Sequence, residues 1–277
     1  MRYAIKTAPQ LTTWDDMLAV WRAADEVEIF ESAWNFDHFY PISVPDTTGP
    51  CMEAWTTLSA LAQATTRIRI GCMVSGVVYR HPTLIANMIA SLDIISNGRL
   101  EIGLGAGWSE EECDAYGIAL GTLTERFDRF DEACEVVHAL LTQETTNFSG
   151  RYFELREARC NPKPLQQPHP PWCIGGNGEK RTFPNVVRYA DHWNYAGFDV
   201  EGFATKKSAL LEQLDATGRP RDSLITSVHI PAADPDALRE TLAAFKAAGL
   251  DLAIFYLPPP HRARDLEALA RAATDVG

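Results

Sequence analysis

The feature that most constrains the fold is a regular alternation of apolar and amphipathic segments along the 277 residues. Short apolar runs such as RIRIGCMV and WCIG are typical of buried strands, and each is followed by a segment with helical periodicity. Eight such pairs can be counted. Alternation of this kind predicts a parallel sheet with helices outside it, and eight units predict closure into a single (β/α)8 TIM barrel.

The predicted strands are Tyr3–Ala8, Glu28–Asn35, Arg67–Val74, Leu100–Leu104, Trp172–Gly175, His192–Ala196, Leu224–Ile230 and Leu252–Leu257. The predicted helices are Trp14–Glu26, with Thr12 or Thr13 as N-cap, then Met52–Ala64, Pro82–Ser96, Thr124–Leu141, Gly178–Ala190, Phe203–Ala216, Pro235–Ala248 and Ala263–Ala273. An insertion around residues 145–170 interrupts the rhythm, where TNFSGRYFEL predicts a hairpin or extended segment and NPKPLQQPHPP is too rich in proline for a regular element. Because the alternation continues on both sides, we expect residues 1–277 to form one domain.

Charge and composition narrow the class of function. The formal net charge is −12, from 25 Lys and Arg against 37 Asp and Glu, which argues against nucleic acid or an anionic membrane surface as partner. The six cysteines form no C-x-x-C pair, so we expect reduced, mostly buried thiols in a cytoplasmic protein and no metal site. No run approaches 18 apolar residues, and Arg2 and Lys6 flank too short an apolar run for a signal peptide.

The loops that follow the strands of such a barrel converge on one face, where the reaction takes place. Asp37 and His38 follow the second predicted strand, and a carboxylate beside an imidazole can hold a polar ligand edge and move a proton. The alternative is a solvated aspartate and a core histidine. After the third strand, Arg80 can contact a phosphate or pair with a carboxylate, and His81 before a proline can be structural.

Glycine-rich loops follow the fourth and fifth strands. The run Gly103–Trp108 resembles the start of a dinucleotide fingerprint, but its third glycine position is Trp108, so a loop that approaches a flat ligand is the better interpretation and a plain tight turn the alternative. The run Gly175–Gly178, followed by Lys180 and Arg181, opens a predicted helix and predicts an anion site for a cofactor phosphate. Acidic residues 110–112 are interpreted as a solvated helix start.

Together these blocks resemble a known family. The segment RIRIGCMVSGVVYRHPTLIANMIASLDIISNGRLEIGLGAGWSEEECDAYGI is similar to the central block of the luciferase-like monooxygenase superfamily, and NPKPLQQPHPPWCIGGNGEKRT with ADHWN is similar to its later block. The pair Asp37-His38 resembles that of members that use the deazaflavin coenzyme F420. The resemblance implies a barrel that holds the cofactor ring at the mouth of the strands, with a non-proline cis peptide at Met73–Val74.

The resemblance also implies roles for particular residues. His38 would act as acid–base or orienting donor near the reactive carbon, and Asp37 would bond the ring edge or fix His38. The cofactor-binding residues would be Asp37, His38, Met73, Val74, Ser75, Gly105, Ala106, Gly107, Trp108, Gly175, Gly176, Asn177 and Gly178. Sugar-phosphate dehydrogenases of the family carry a tryptophan and a glutamate where this chain has Ile42 and Trp108, so we expect an apolar carbonyl, enone or imine as substrate instead.

The leading hypothesis is a coenzyme F420-dependent oxidoreductase that transfers a hydride between the deazaflavin and a small organic molecule. The first alternative is a luciferase-like monooxygenase that uses reduced FMN and oxygen. The second is a non-catalytic barrel that binds a flavin-like ligand. A homodimer is expected, because members of the family often dimerise.

Overall fold

The structure, a computed structural model, describes residues 1–232 and 235–276. Within them, eight parallel strands close into a barrel: β1 (Arg2–Thr7), β2 (Phe30–Asn35), β3 (Arg69–Cys72), β4 (Leu100–Gly105), β5 (Trp172–Gly175), β6 (His192–Tyr195), β7 (Ile225–Pro231) and β8 (Leu252–Leu257). Each strand pairs with its neighbour in the chain, and β1 pairs with β8, with Arg2 opposite Leu252. A two-residue strand, Ser75–Gly76, continues along β4 beyond β3. The predicted (β/α)8 barrel is confirmed.

The helices surround the barrel. They are α1 (Trp14–Glu26), α2 (Ala54–Ala64), α3 (Pro82–Ile95), α4 (Glu110–Tyr116), α5 (Leu123–Thr142), α6 (Thr182–Tyr189), α7 (Val200–Thr217), α8 (Pro235–Ala247) and α9 (Leu266–Val276). Residues Thr146–Ser149 and Glu154–Ala158 form the expected hairpin. Two predictions were incomplete: the sequence interpretation gave α4 no helix bounds, and α6 begins four residues after Gly178. The Gly178 carbonyl accepts hydrogen bonds from the N–H groups of residues 181 to 183, so the glycine turn itself closes before the helix.

Side-chain caps explain why several helices begin where they do. The Thr13 hydroxyl accepts a hydrogen bond from the Asp16 N–H, which identifies the second of the two expected N-cap residues. Thr122 and Glu125 form a reciprocal capping box at the start of α5. The carboxylate of Glu53 caps α2 by accepting from the N–H groups of the second and third residues of that helix. This last cap matters for the site, because Glu53 also contacts Arg80, which lies behind the cavity.

The barrel interior is closed below its mouth. Ala4, Trp34, Met73, Cys173, Leu252 and Ile254 form a separate buried cluster there. The indole of Trp34 lies against Gly71, where an added Cβ would come within 2.3 Å of the ring. The backbone of β3 approaches Gly103 so closely that a Cβ there would lie 1.7 Å from the Cys72 carbonyl oxygen. Polar side chains that lie above this buried cluster can therefore face only the open end of the barrel, at the carboxyl ends of the strands.

All six cysteines are free, and five of them are buried, which confirms the expectation of mostly buried thiols. None of the helices described is long and apolar enough to cross a membrane.

Candidate active site

A cavity of about 450 Å³ opens at the carboxyl ends of the strands. A volume of this size is ordinary for a small-molecule or cofactor site. It is lined by residues from every strand or from the loop that follows it. All the predicted site residues except Ser75 line it, namely Asp37, His38, Met73, Val74, Gly105, Ala106, Gly107, Trp108, Gly175, Gly176, Asn177 and Gly178. Ser75 is fully buried behind Asp37.

His38 is held by a carboxylate that the sequence interpretation had assigned to solvent. Its Nδ1 lies 2.8 Å from Oε2 of Glu112 on α4. The other oxygen of Glu112 accepts from the backbone N–H groups of Phe39 and Tyr40, at 2.7 and 3.0 Å, and Oε2 also accepts from the Tyr79 hydroxyl at 2.9 Å. The expectation that residues 110–112 are all solvated is therefore wrong for Glu112, which is 1% exposed.

The network around Glu112 fixes its charge and the orientation of the imidazole. Burial alone would raise the pKa of Glu112, but the hydrogen bond and charge of His38 and the other donors outweigh it and lower the pKa to about 2. An ionised carboxylate can only accept, so Nδ1 of His38 carries the proton that is shared with it. Nε2 is then the nitrogen left to exchange a proton with a ligand in the cavity.

Aromatic rings fix the position of His38 from two sides. The ring of Phe36 meets it edge to face at 5.0 Å, and the indole of Trp108 does so at 5.2 Å. Trp108 itself is 57% exposed at the mouth, where Phe198 is also exposed. The entrance to the cavity is therefore apolar and aromatic beside the imidazole.

Asp37 has a different set of partners from the one that was expected. Arg80 binds its carboxylate with both guanidinium nitrogens, at 2.5 and 3.0 Å, and the Ser75 hydroxyl donates to it at 2.6 Å. The same guanidinium contacts Glu53 at 2.5 Å. The hydrogen bonds of Asp37 therefore go to Arg80 and Ser75, and Glu112 is the residue that fixes His38. Of the two alternatives for Arg80, the carboxylate is the one observed.

Glycines make room for a bulge of β3 between two loops. The peptide bond between Met73 and Val74 is cis, as the resemblance implied. The Val74 side chain projects toward Gly105 and Gly175, where an added Cβ would lie 2.6 and 3.4 Å from its methyl groups. Gly107 has a φ of +82°, which favours glycine. The three segments together form one continuous wall of small groups and backbone, which suits the face of a flat ring.

The charged residues after the second glycine loop do not line the cavity. The guanidinium of Arg181 pairs with Asp128 and Asp131 on α5, at 2.6 and 3.0 Å. The Asn177 side chain instead ties the loop to the backbone of Ala196. The Arg181 charge is therefore engaged away from the cavity, and Thr182, at the start of α6, is the polar side chain that lines the cavity beside this loop.

Comparison with known proteins identifies the family. A family model described as luciferase-like monooxygenase matches residues 2–275. The chain belongs to this family. It is 31% identical over 207 residues to an uncharacterized protein of Mycobacterium tuberculosis, covering 75% of this chain and 70% of that protein. It is also 31% identical over 210 residues to the F420-dependent hydroxymycolic acid dehydrogenase of the same organism, covering 76% and 56%.

A solved structure with the same fold is that of an F420-dependent secondary alcohol dehydrogenase in complex with an F420-acetone adduct, with a TM-score of 0.87 at 20% identity over 100% of this chain and 99% of that one. Monooxygenases also occur among the matched proteins and structures. This luciferase-like protein is thus an oxidoreductase.

Sequence reasoning missed the floor of the cavity in this luciferase-like barrel. The Lys6 ammonium, from β1, donates to the Met73 carbonyl oxygen at 2.9 Å and lies 3.5 Å from Nε2 of His229 on β7. It also lies 5.5 Å from the centre of the Tyr256 ring on β8. Burial lowers the pKa of Lys6 to about 8, and burial lowers that of His229 well below its usual value. The available signal was a lysine that directly follows the apolar residues Tyr3, Ala4 and Ile5 within the strand RYAIKT.

Proposed function

We propose that this protein is a coenzyme F420-dependent oxidoreductase that transfers a hydride between the deazaflavin and a small organic substrate, with His38 as the acid–base residue. The observation that carries the proposal is the buried Glu112–His38 pair at the mouth of the cavity, beside a wall of glycines around Val74. The F420-dependent relatives support the choice of cofactor.

The cavity fits a flat ring with a long polar tail. The ring would lie against the bulge at Met73 and Val74, where the absence of a Cβ at Gly105 and Gly175 makes room for the Val74 side chain. The tail would run along the loops at Gly105–Trp108 and Gly175–Gly178. When bound, the deazaflavin supplies or accepts a hydride at a ring carbon and needs no activation of oxygen. Asp37, neutralised by Arg80, would present its buried carboxylate toward the ring edge.

The role of His38 follows from its hydrogen bond. Addition of a hydride to a carbonyl carbon leaves negative charge on the oxygen, which needs a proton, and the reverse reaction needs a base. Nε2 of His38 can serve in either direction, because the hydrogen bond from Nδ1 to Glu112 orients the ring and leaves Nε2 facing the cavity. The aromatic rings of Trp108 and Phe36 hold the imidazole in place while the proton moves.

The alternative is a monooxygenase that uses reduced FMN and oxygen, which the monooxygenase relatives keep open. The two functions differ in cofactor, so a binding measurement separates them. We propose a small-molecule substrate in either case, and a homodimeric, cytoplasmic protein.

Fluorescence titration with coenzyme F420 and, in parallel, with FMN tests the proposal on the wild type and on His38→Ala. We expect the wild type to bind F420 tightly and FMN weakly. In a separate assay of hydride transfer with a panel of ketones and aldehydes, His38→Ala should lose activity. His81→Ala is the matched control, since His81 is exposed and caps α3. A preference for FMN with oxygen uptake would assign the monooxygenase function instead. Binding of neither cofactor would refute both.

A further inference from the structure

One sector of the cavity is left over by the proposed cofactor site, and the role assigned to this sector rests on that proposed function. The residues assigned to the deazaflavin come from β2 to β5 and the loops after them. The rest of the barrel, from β6 round to β1, contributes Asn194, His229, Tyr256 and Lys6 to the lining. A hydride passes between two molecules in contact, so the substrate would lie beside the ring, and this sector is the part of the lining left free for it.

The charges of the lining are unbalanced in this sector. The Asp37 carboxylate is compensated by Arg80, and Glu112, behind the lining, is compensated by its donors. Lys6 donates to one backbone carbonyl, and among the residues that the structure describes no carboxylate lies within 4.0 Å of its ammonium. The side chain is 7% exposed. Lys6 is therefore a buried cation without a counter-ion.

Neighbouring groups do not remove this charge. His229, at 3.5 Å, is neutral because burial lowers its pKa well below the usual value, and the Tyr256 ring offers only its π face at 5.5 Å. An ammonium has three donors: the Met73 carbonyl takes one, and Nε2 of His229 can accept a second only at the limit of hydrogen-bond distance, so at least one is left for a ligand. Buried charges in proteins are ordinarily paired, so a missing partner at the bottom of an open cavity points to a ligand that brings it.

We propose that Lys6 is the anion-binding residue of the substrate site, and that the substrate is an apolar organic acid whose carboxylate contacts the Lys6 ammonium. Its apolar body extends toward Trp108 and Phe198 at the mouth, past Nε2 of His38. A carboxylate matches the single positive charge of the floor, whereas a phosphate would bring nearly twice the charge to one lysine. The sequence led us to expect an apolar substrate, and this proposal adds a carboxylate at one end of it.

Binding to the F420-loaded protein tests this assignment. The probes are hexanoate and hexanamide, which have the same chain length and differ in charge, and the method is isothermal titration calorimetry. We expect the wild type to bind hexanoate at least tenfold more tightly than hexanamide. In Lys6→Met the preference should vanish, while the affinity for F420 changes by less than twofold.

Two further variants keep the result interpretable. Lys6→Gln retains a donor for the Met73 carbonyl but no charge, so it should also lose the preference, which separates the loss of charge from the loss of the hydrogen bond. Lys206→Met removes a surface lysine that pairs with Glu179 and should behave like the wild type. Equal affinity of the wild type for the two probes would overturn the proposal. So would a parallel loss of F420 affinity in both Lys6 variants, since the Lys6 charge would then serve the cofactor rather than the substrate.

The outcome is separable from that of the proposed function. If the wild type binds no F420, the same titrations are run on the F420-free protein. A retained preference for hexanoate that depends on Lys6 would then uphold the anion site while the F420 proposal fails. If the wild type binds F420 but shows no preference for hexanoate, the F420 proposal is upheld and the anion site is refuted.

Discussion

Glu112 gives the sharpest test of how this site is held together. Replacement by Gln keeps the shape of the side chain but removes its charge and turns one acceptor into a donor. Four hydrogen bonds end on the carboxylate, from the imidazole of His38, two backbone N–H groups and the Tyr79 hydroxyl. The amide can accept at one end only, so at least one of these buried donors is left facing another donor.

The pKa of Glu112 sets the size and pH dependence of the effect. Its pKa is about 2 in the folded protein, against 4.5 ordinarily. At about 1.4 kcal/mol per pKa unit, this difference corresponds to about 3 kcal/mol, which we reduce to about 2 kcal/mol because the mouth of the cavity is open to water. A carboxyl whose pKa is lowered by folding stabilises the protein above its unfolded pKa. That stability is lost as the pH falls from about 4.5 toward 2.

Urea unfolding of the wild type and Glu112→Gln at pH 7, 5 and 3 measures how much Glu112 contributes to the free energy of unfolding at each pH. The wild type should be more stable by about 2 kcal/mol or more at pH 7 and 5, and the difference should shrink at pH 3. Glu110→Gln is the control, because Glu110 lies in the same first turn of α4 but is exposed. A difference that stays constant down to pH 3, or an equal loss in the control, would refute the reasoning.

Three further predictions concern residues around the same cavity. Arg80→Met should lower the free energy of unfolding by roughly 3–5 kcal/mol in urea denaturation, because it leaves the buried Asp37 carboxylate without its counter-charge. Lys6→Met should be more stable than the wild type by about 2 kcal/mol at pH 7, since the burial cost that lowers the Lys6 pKa outweighs one lost hydrogen bond. The wild type should recover this difference as the pH rises from about 8 to 10.5, where the unfolded chain binds the extra proton. Gly103→Ala should give no soluble folded protein by circular dichroism, because its Cβ would lie 1.7 Å from the Cys72 carbonyl oxygen.

Each of these variants has a matched control. Arg156→Met removes an exposed arginine and should change stability by less than about 1 kcal/mol. Lys206→Met should show no rise in relative stability at alkaline pH. Gly117→Ala has open space around its Cβ but a φ of +65°, so it should fold with a loss of about 1 kcal/mol. Equal effects in a variant and its control would contradict the corresponding explanation.

The parts of the site that the sequence could predict are local in the chain. A strand end or a glycine loop can be predicted from a few consecutive residues. Gly105, Gly175 and the residues beside them could therefore be placed at the mouth from the alternation of strands and helices. His38 could be placed in the same way, because it follows a recognisable strand.

The partners of these residues could not be predicted, because they depend on contacts made across the barrel. Glu112 meets His38 from 74 residues away, on a helix of seven residues whose acidic start is indistinguishable from a solvated one. Whether Arg80 would bind a phosphate or Asp37 depended on the depth of the loop behind β3. Lys6 faces inward only because the alternation of β1 is fixed by its neighbours on both sides.

The pairing of β1 with β8 also has a consequence for how the protein is made. Arg2 and Leu252 meet although they lie roughly 250 residues apart, so this seam has a high entropic cost of loop closure and can form only after nearly the whole chain has been synthesised. The glycine wall around Val74 is complete in sequence long before that. The lysine of the floor comes from the first strand, whereas His229 and Tyr256 come from the last two. The proposed cofactor side of the cavity is thus synthesised before the proposed substrate side, and only closure of the barrel between β1 and β8 brings both together.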